Sequence, residues 1–236
     1  MSDRQDEKQA LLLLPGLLCD ERLWRDQIRD LPDLADIAVA DLTQDDSVAA
    51  MAARVLAAAP PRFALAGLSM GGYVAFEILR QQPERVSKLA LLDTSAAPDS
   101  PLRAMQRRAG LRLLDRGRFA GVTRQLLPTL VHAQHVDGPV SREVQAMAQR
   151  VGAQAYRRQQ TAILERPDSR PLLASIAVPT LVVVGEDDQL TPPAAAEDIH
   201  RGIAGSTLER IARCGHLPTM EQPQLVSDLL RRWLQE

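Results

Sequence analysis

The stretch "FALAGLSMGGYVAFEILRQQP", residues 63–83, moves from an apolar run into a glycine-rich turn and then into a helical pattern. Its turn has the form G-x-S-x-G, with Ser69 between glycines. Tight turns need residues without side chains where backbone segments approach closely, and Gly67, Gly71 and Gly72 meet that need. A helix that begins at Met70 would direct N–H groups and a positive dipole end towards the serine. The stretch therefore predicts a strand, a sharp turn and a helix, with the Ser69 hydroxyl raised above a sheet.

Other short apolar runs, bounded by Pro, Gly or Asp, extend this pattern along the chain. Most lack alternation of apolar and polar residues, as expected for parallel strands that are covered on both faces. Helical patterns separate several runs, so the sequence predicts an α/β fold with a doubly wound, mostly parallel six-stranded sheet. Thr191 is predicted to cap a helix that begins at Pro192. The predicted strands are 10–16, 37–40, 63–67, 89–93, 180–185 and 207–212, and the predicted helices among them are 48–58, 70–82, 192–201 and 223–234.

Between Pro98 and Arg170 the alternation stops and only helical patterns remain. We expect residues 98–170 to form a helical lid inserted into a core made of residues 1–97 and 171–236. In one of its helices, Leu102, Met105 and Ala109 share a face, which is typical of an amphipathic surface helix. The predicted helices of the lid are 102–114, 119–127, 140–151 and 153–165.

The lid also differs from the rest of the chain in charge. It has thirteen arginines, no lysine and six acidic residues, a local charge of +7, whereas the whole chain carries −2. A positive rim over a cleft would favour an anionic small-molecule substrate, although a solvated arginine-rich surface is the alternative. The arginines have no interleaved aromatic platform, so a nucleic-acid role is not expected.

Length and composition restrict the class of protein. The 236 residues are 45% hydrophobic and 3% aromatic, which suits one α/β domain with an inserted lobe. The N-terminus "MSDRQDEKQA" lacks the features of a signal peptide, and no apolar run could span a bilayer. Cys19 and Cys214 lack C-x-x-C spacing and are predicted to be free thiols. We therefore expect a cytoplasmic protein with no membrane association, no metal and no cofactor.

A serine hydroxyl needs a general base, usually a histidine, whose tautomer is fixed by a third group. "GHLPTMEQP" places His216 in the loop after the last predicted strand. The other histidines, at positions 132, 135 and 200, fall in the lid or on a surface helix. "EDDQLTPP" places Asp187 and Asp188 after the strand 180–185, and Asp93 ends the strand before the lid. All three carboxylates are candidates for the acid.

From Ala10 to the C-terminus, the chain resembles the α/β-hydrolase superfamily. The motifs that carry the resemblance are "GLSMGG", "GEDDQLTPP" and "CGHLPTMEQP", in the order serine, acid, histidine. In relatives the acid commonly stands third after a glycine, in G-x-x-D-x-x-T-P, which implies Asp188 rather than Asp187. The resemblance also implies an oxyanion hole made by the N–H groups of Leu17 and Met70. Pro15 stands where relatives commonly have the histidine of His-Gly.

The resemblance implies a small esterase or enol-lactonase-like serine hydrolase. Ser69, His216 and Asp188 would cleave an ester, thioester or lactone through an acyl-enzyme, without a cofactor. The alternatives are a C–C bond hydrolase, a lyase or synthase that uses the same triad, and a receptor-like ligand-binding protein with slow turnover. Trp24, Met105, Tyr156 and Phe119 are candidates for the substrate pocket, with core packing as the alternative for each.

Overall fold

The computed structural model describes residues 8–236. Within them, six strands form a single sheet in the order β2-β1-β3-β4-β5-β6, and every pair of neighbours is parallel. The predicted α/β class and six-stranded sheet are thereby confirmed. The strands are β1 Gln9–Leu14, β2 Ala35–Val39, β3 Phe63–Leu68, β4 Val86–Leu92, β5 Thr180–Gly185 and β6 Thr207–Ile211.

Helices cover both faces of this sheet. Successive residues of a strand point to opposite faces. Leu11 and Leu13 of β1 pack in a core that the final helix closes, whereas Leu12 and Leu14 pack in a second core with helices that follow β2, β3 and β5. Two buried faces explain why the strands read as continuous apolar runs. The helices are α1 Arg25–Asp30, α2 Val48–Ala58, α3 Met70–Gln81, α4 Pro101–Asp115, α5 Leu127–Leu130, α6 Pro139–Glu165, α7 Pro193–Gly202, α8 Pro218–Glu221 and α9 Pro223–Gln235.

The segment between β4 and β5 contains α4, α5 and α6, which we call the helical insertion. The predicted helix over 119–127 is wrong, because residues 119–126 are not helical and α5 is a single turn. Gly117 and Gly121 adopt left-handed conformations, with φ of 73° and 60°, and these break a helix. Gly152, with φ of 77°, interrupts α6 between its two predicted halves. No helix of residues 8–236 is both long and apolar enough to cross a membrane.

All strands of a parallel sheet end at the same edge. Ser69 follows β3, Asp93 follows β4, and Asp188 comes after β5. His216 lies in the loop after β6. The topology therefore gathers these four side chains where ligands of open α/β sheets bind.

Candidate active site

Ser69 occupies a strained turn between β3 and α3, with φ of 54° and ψ of −112°. A positive φ is uncommon for a residue other than glycine. The turn is packed against its surroundings. A Cβ on Gly71 would lie 2.1 Å from the Leu14 carbonyl oxygen, and one on Gly72 would lie 2.3 Å from Thr94 Oγ1. The Thr94 hydroxyl also donates a hydrogen bond of 2.7 Å to the Ser69 carbonyl oxygen, so both glycines and this threonine hold the turn in place.

A chain of hydrogen bonds leads from the serine to a carboxylate. His216 Nε2 lies 2.9 Å from Ser69 Oγ, and His216 Nδ1 lies 2.8 Å from Asp188 Oδ2. With its proton on Nδ1, the imidazole donates to Asp188 and accepts from the serine hydroxyl. His216 and Asp188 are both buried. A serine in this arrangement can lose its proton to the histidine as it attacks an electrophilic carbon.

Thr191 does not have the predicted role of a helix cap. Helix α7 begins at Pro193 without a side-chain cap, so the predicted Thr191 cap is wrong. The Thr191 hydroxyl instead donates to Asp188 Oδ2 at 2.6 Å, and its N–H donates to Asp188 Oδ1 at 3.1 Å. The Leu190 N–H donates to the same Oδ1 at 2.8 Å. These bonds fix the plane of the carboxylate that faces His216.

The pKa of Asp188 reflects these partners. Burial alone would raise it, but the nearby His216 and the hydrogen bonds from His216, Thr191 and the Leu190 N–H lower the pKa to about 2. Asp188 is therefore a carboxylate at neutral pH and can stabilise a protonated imidazole.

The two other candidate acids have different surroundings. Asp187 is half exposed, and its Oδ2 lies 3.9 Å from His132 Nε2. Asp93 is fully buried, and its Oδ1 accepts the Gly185 N–H at 2.9 Å. Its Oδ2 has no hydrogen-bond partner in the part of the chain that the structure describes. Burial and the neighbouring Asp188 charge raise the pKa of Asp93 well above its ordinary value, so this carboxyl keeps its proton to a higher pH than Asp188 does.

The loop after β1 lies beside the serine, and Leu17 lines the same cavity as Ser69. Met70 is the first residue of α3, so its N–H has no partner four residues earlier in the helix. Leu18 adopts φ of 59°, and its N–H donates to Gln159 Oε1 of α6 at 3.0 Å. The Gln159 amide in turn donates to the Leu42 carbonyl at 3.1 Å. Gln159, a buried residue of the insertion, thus fixes the loop after β1, in which Pro15 stands in place of the histidine common in relatives.

The loop that carries His216 is held by another residue that the sequence did not point to. Glu221 is buried, and its carboxylate accepts N–H groups of Gly215 and Leu217 at 3.1 Å and of His132 at 2.7 Å. The His216 N–H donates to the carbonyl of Leu130, at the end of α5, at 3.0 Å. The sequence signal for Glu221 was its place in the stretch that contains His216, "GHLPTMEQP".

A cavity of about 270 Å³ opens above Ser69 and His216. The insertion contributes apolar and aromatic residues to its wall, among them Val144 and Tyr156. Phe119 packs against the Tyr156 ring, with 5.6 Å between ring centroids.

Of the four candidates for the pocket, only Tyr156 lines this cavity among the described residues. Trp24 is fully buried in the core beneath the sheet, and Met105 is 56% exposed on α4. Neither is among the wall residues of the cavity, and Phe119, which packs on Tyr156, is not among them either. Leu102 is also exposed, because the apolar face expected on α4 is not covered in the described residues.

The arginines of the insertion have diverse partners. Arg103 and Arg107 line the cavity, and the rest lie outside it. The Arg107 charge is balanced by Asp99, whose Oδ2 accepts its Nε–H at 2.6 Å. Ion pairs also engage Arg124, Arg150, Arg157, Arg166 and Arg170. The positive segment therefore contributes only a small part of its charge to the cleft.

Both cysteines are buried free thiols. Burial, with the Asp20 charge, raises the pKa of Cys19 to about 12, so this thiol at the cavity wall stays protonated and is a poor nucleophile. Asp93, Asp188 and His216 offer possible metal-ligand atoms within 4.8 Å of one another. Within this group, His216 Nδ1 and Asp188 Oδ2 are already hydrogen-bonded to each other, and the Thr191 hydroxyl donates to the same Oδ2.

Comparisons with known proteins bear on the fold and the family of the chain. A family model described as the alpha/beta hydrolase fold matches residues 14–223. A pimeloyl-[acyl-carrier protein] methyl ester esterase of Neisseria meningitidis serogroup C is 29% identical over 251 residues, which cover 98% of this chain and 95% of the relative.

Solved structures are similar as well. A thermophilic esterase from Thermogutta terrifontis, with malate bound, has a TM-score of 0.85 and 31% identity, covering 96% of this chain and 89% of that one. The enol-lactonase from Burkholderia xenovorans has a TM-score of 0.83 at 21% identity, covering 100% of this chain and 94% of that one, and supports the fold alone.

Proposed function

Because this chain belongs to the α/β-hydrolase family, we propose that it is a serine hydrolase that cleaves a small ester, thioester or lactone. One observation carries the proposal: the unbroken hydrogen-bond chain from Ser69 Oγ through His216 to Asp188, at the base of a cavity. The esterase names of the relatives from Neisseria and Thermogutta support ester bonds as the class of substrate.

In the proposed reaction, Ser69 Oγ attacks the carbonyl carbon while His216 Nε2 takes the hydroxyl proton. Asp188 holds the imidazole and stabilises its positive charge. The N–H groups of Leu17 and Met70 donate to the oxyanion. The proton passes to the leaving group as the C–O bond breaks, which leaves an acyl-enzyme. Water then gives a proton to His216 and attacks the acyl carbon. The bond from that carbon to Ser69 Oγ breaks, His216 returns the proton to the serine, and the acid is released.

The roles of the three acids follow from their surroundings. Asp188 is ionised and contacts Nδ1 of His216, which supports it as the acid of the triad. Asp187 faces His132, and Asp93 accepts the Gly185 N–H and has a raised pKa, which argues against either as the partner of the imidazole.

The insertion is proposed to be a lid over the reacting groups, with residues 98–170 as its predicted extent. Its residues form much of the cavity wall, so it would select the substrate. An anionic substrate remains part of the proposal. The guanidinium groups of Arg103 and Arg107 in the cavity wall support this part of it.

Hydrolysis of p-nitrophenyl acetate by the wild type and by Ser69→Ala tests the proposal. We expect many turnovers per wild-type molecule and a loss of about 10³-fold or more in kcat for the variant, as when a triad member is removed. Ser175→Ala, at an exposed serine that lines neither this cavity nor its neighbour, is the control and should keep full activity. A fluorophosphonate should label Ser69. Equal activity of Ser69→Ala, or a single burst without turnover, would contradict the proposal.

A further inference from the structure

A second cavity, of about 340 Å³, adjoins the one above Ser69. The two cavities share Tyr73, Arg103 and Leu190 as wall residues. Beyond them, the second cavity is lined by polar groups, including Arg166, Ser95 and Ser100, whereas apolar side chains dominate the first. A molecule that extends from the serine past Arg103 would therefore pass from apolar into polar surroundings.

Arg166 is a fixed cation in this second cavity. Its side chain is 6% exposed, and its guanidinium donates to the carbonyls of Ile163 at 2.7 Å and Ala97 at 3.0 Å. The guanidinium carbon lies 4.1 Å from the centre of the Tyr73 ring. Its Nε–H is buried and has no acceptor among residues 8–236. A buried donor without an acceptor is costly, so the positive charge of Arg166 is only partly satisfied by its protein partners.

The charges around the second cavity do not cancel. Asp99 accepts one hydrogen bond from Arg107 at 2.6 Å and one from Arg166 at 2.9 Å. Burial raises the pKa of Asp99, but these two arginines outweigh burial and lower it, so Asp99 is a carboxylate. Arg103 is half-buried and forms no ion pair with any residue that the structure describes. The wall of the second cavity itself carries Arg103, Arg166 and Asp99, a charge of +1. Arg107, which pairs with Asp99 from the first cavity, brings the local charge to +2.

We propose that this second cavity is a binding subsite for an anionic group of the substrate, a carboxylate, with Arg103 and Arg166 as its partners. The proposal rests on the proposed hydrolase function, because it places the ester of the same molecule at Ser69. Arginine donates two parallel hydrogen bonds to a carboxylate, and this geometry favours a carboxylate over a neutral group. Arg103 lies at the junction of the cavities, so it determines whether a charged substrate is preferred over a neutral one.

Two matched pairs of esters test the subsite. The first pair carries the charge on the acyl side, as mono-p-nitrophenyl glutarate against the primary amide of the same ester. The second carries it on the alcohol side, as 3-butyryloxybenzoate against 3-butyryloxybenzamide. Initial rates, corrected for spontaneous hydrolysis, give the ratio of kcat/KM for the anionic over the neutral member of each pair.

We expect the ratio to exceed about tenfold in at least one pair at 0.01 M salt, on the scale of a charge-assisted hydrogen bond. In Arg103→Gln the ratio should fall to near unity. Arg108→Gln is the matched control, because Arg108 is exposed on the same helix and lines neither cavity. Raising the salt to 0.15 M should reduce the wild-type preference in part, since screening weakens attraction between accessible charges.

The outcomes separate the subsite from the reaction. A ratio near unity in both pairs for the wild type, or an equal ratio in Arg103→Gln, overturns the subsite while Ser69-dependent hydrolysis of the neutral esters stands. Loss of the preference in Arg108→Gln to the same degree would also overturn it, because a general effect of lid charge would then account for the preference. Failure of Ser69→Ala to abolish turnover would overturn the hydrolase function itself.

Discussion

Asp93→Asn should stabilise the protein increasingly as the pH rises above 4. Asp93 is buried, and burial with the adjacent Asp188 charge raises its pKa far above the ordinary value of 3.8. The folded chain therefore keeps a proton that the unfolded chain releases. This group favours folding fully below pH 3.8, and its contribution is lost as the pH rises towards the folded pKa. Each pH unit in that window costs about 1.4 kcal/mol.

An asparagine at position 93 removes this dependence with little change of shape. Its Oδ1 can still accept the Gly185 N–H, and its amide has no proton to lose. The difference in the free energy of unfolding between Asp93→Asn and the wild type should grow by about 1.4 kcal/mol per pH unit above 3.8, up to the folded pKa.

Urea unfolding at pH 4, 5, 6 and 7 measures this difference. Fluorescence of Trp24 and Trp233, both buried, reports the transition. Asp187→Asn is the control, because Asp187 is half exposed, and its stability should follow the wild type at each pH. Parallel curves for Asp93→Asn and the wild type from pH 4 to 7 would refute a protonated Asp93.

Two further predictions concern groups that position the reacting atoms. Asp188→Asn should lower kcat on p-nitrophenyl acetate by about 10³ to 10⁴, because the imidazole can adopt the wrong tautomer. Asp187→Asn should lower kcat much less. A larger loss for Asp187→Asn than for Asp188→Asn would assign the acid to Asp187. Gln159→Leu leaves the Leu18 N–H and the Leu42 carbonyl without partners, so unfolding free energy should fall by about 1–3 kcal/mol and kcat should drop. Gln159→Glu keeps the acceptor for Leu18 and should recover part of kcat; equal kcat in both variants and the wild type would exclude a positioning role.

Much of the core could be predicted because its signals are local. Strand β5 and helix α2 have the predicted bounds, since an apolar run between turn residues and a helical pattern depend on neighbouring residues alone. The G-x-S-x-G turn likewise combines close backbone approach with a helix start.

The parts that escaped prediction depend on distant contacts. Gln159 meets Leu18 across 141 positions of the chain, and Glu221 meets His132 across 89. No spacing rule marks a single glutamine or glutamate for such a contact. The Thr191 hydroxyl had two possible partners, the helix it precedes and Asp188, and sequence propensity favoured the wrong one. The helix bounds of the insertion were the hardest to predict, because isolated glycines such as Gly121 determine where its helices end.

The contacts between α5 and the His216 loop limit how modular the insertion is. The Leu130 carbonyl accepts the His216 N–H, and Glu221 accepts the N–H of His132, so backbone groups of the insertion complete the hydrogen bonding of the loop. A chimera that receives a lid from a relative would have to reproduce both bonds as well as the cavity wall. Replacement of residues 98–170 should therefore shift the position of the histidine before it changes substrate choice, and successful grafts will be those that retain residues 130–132 with their partners.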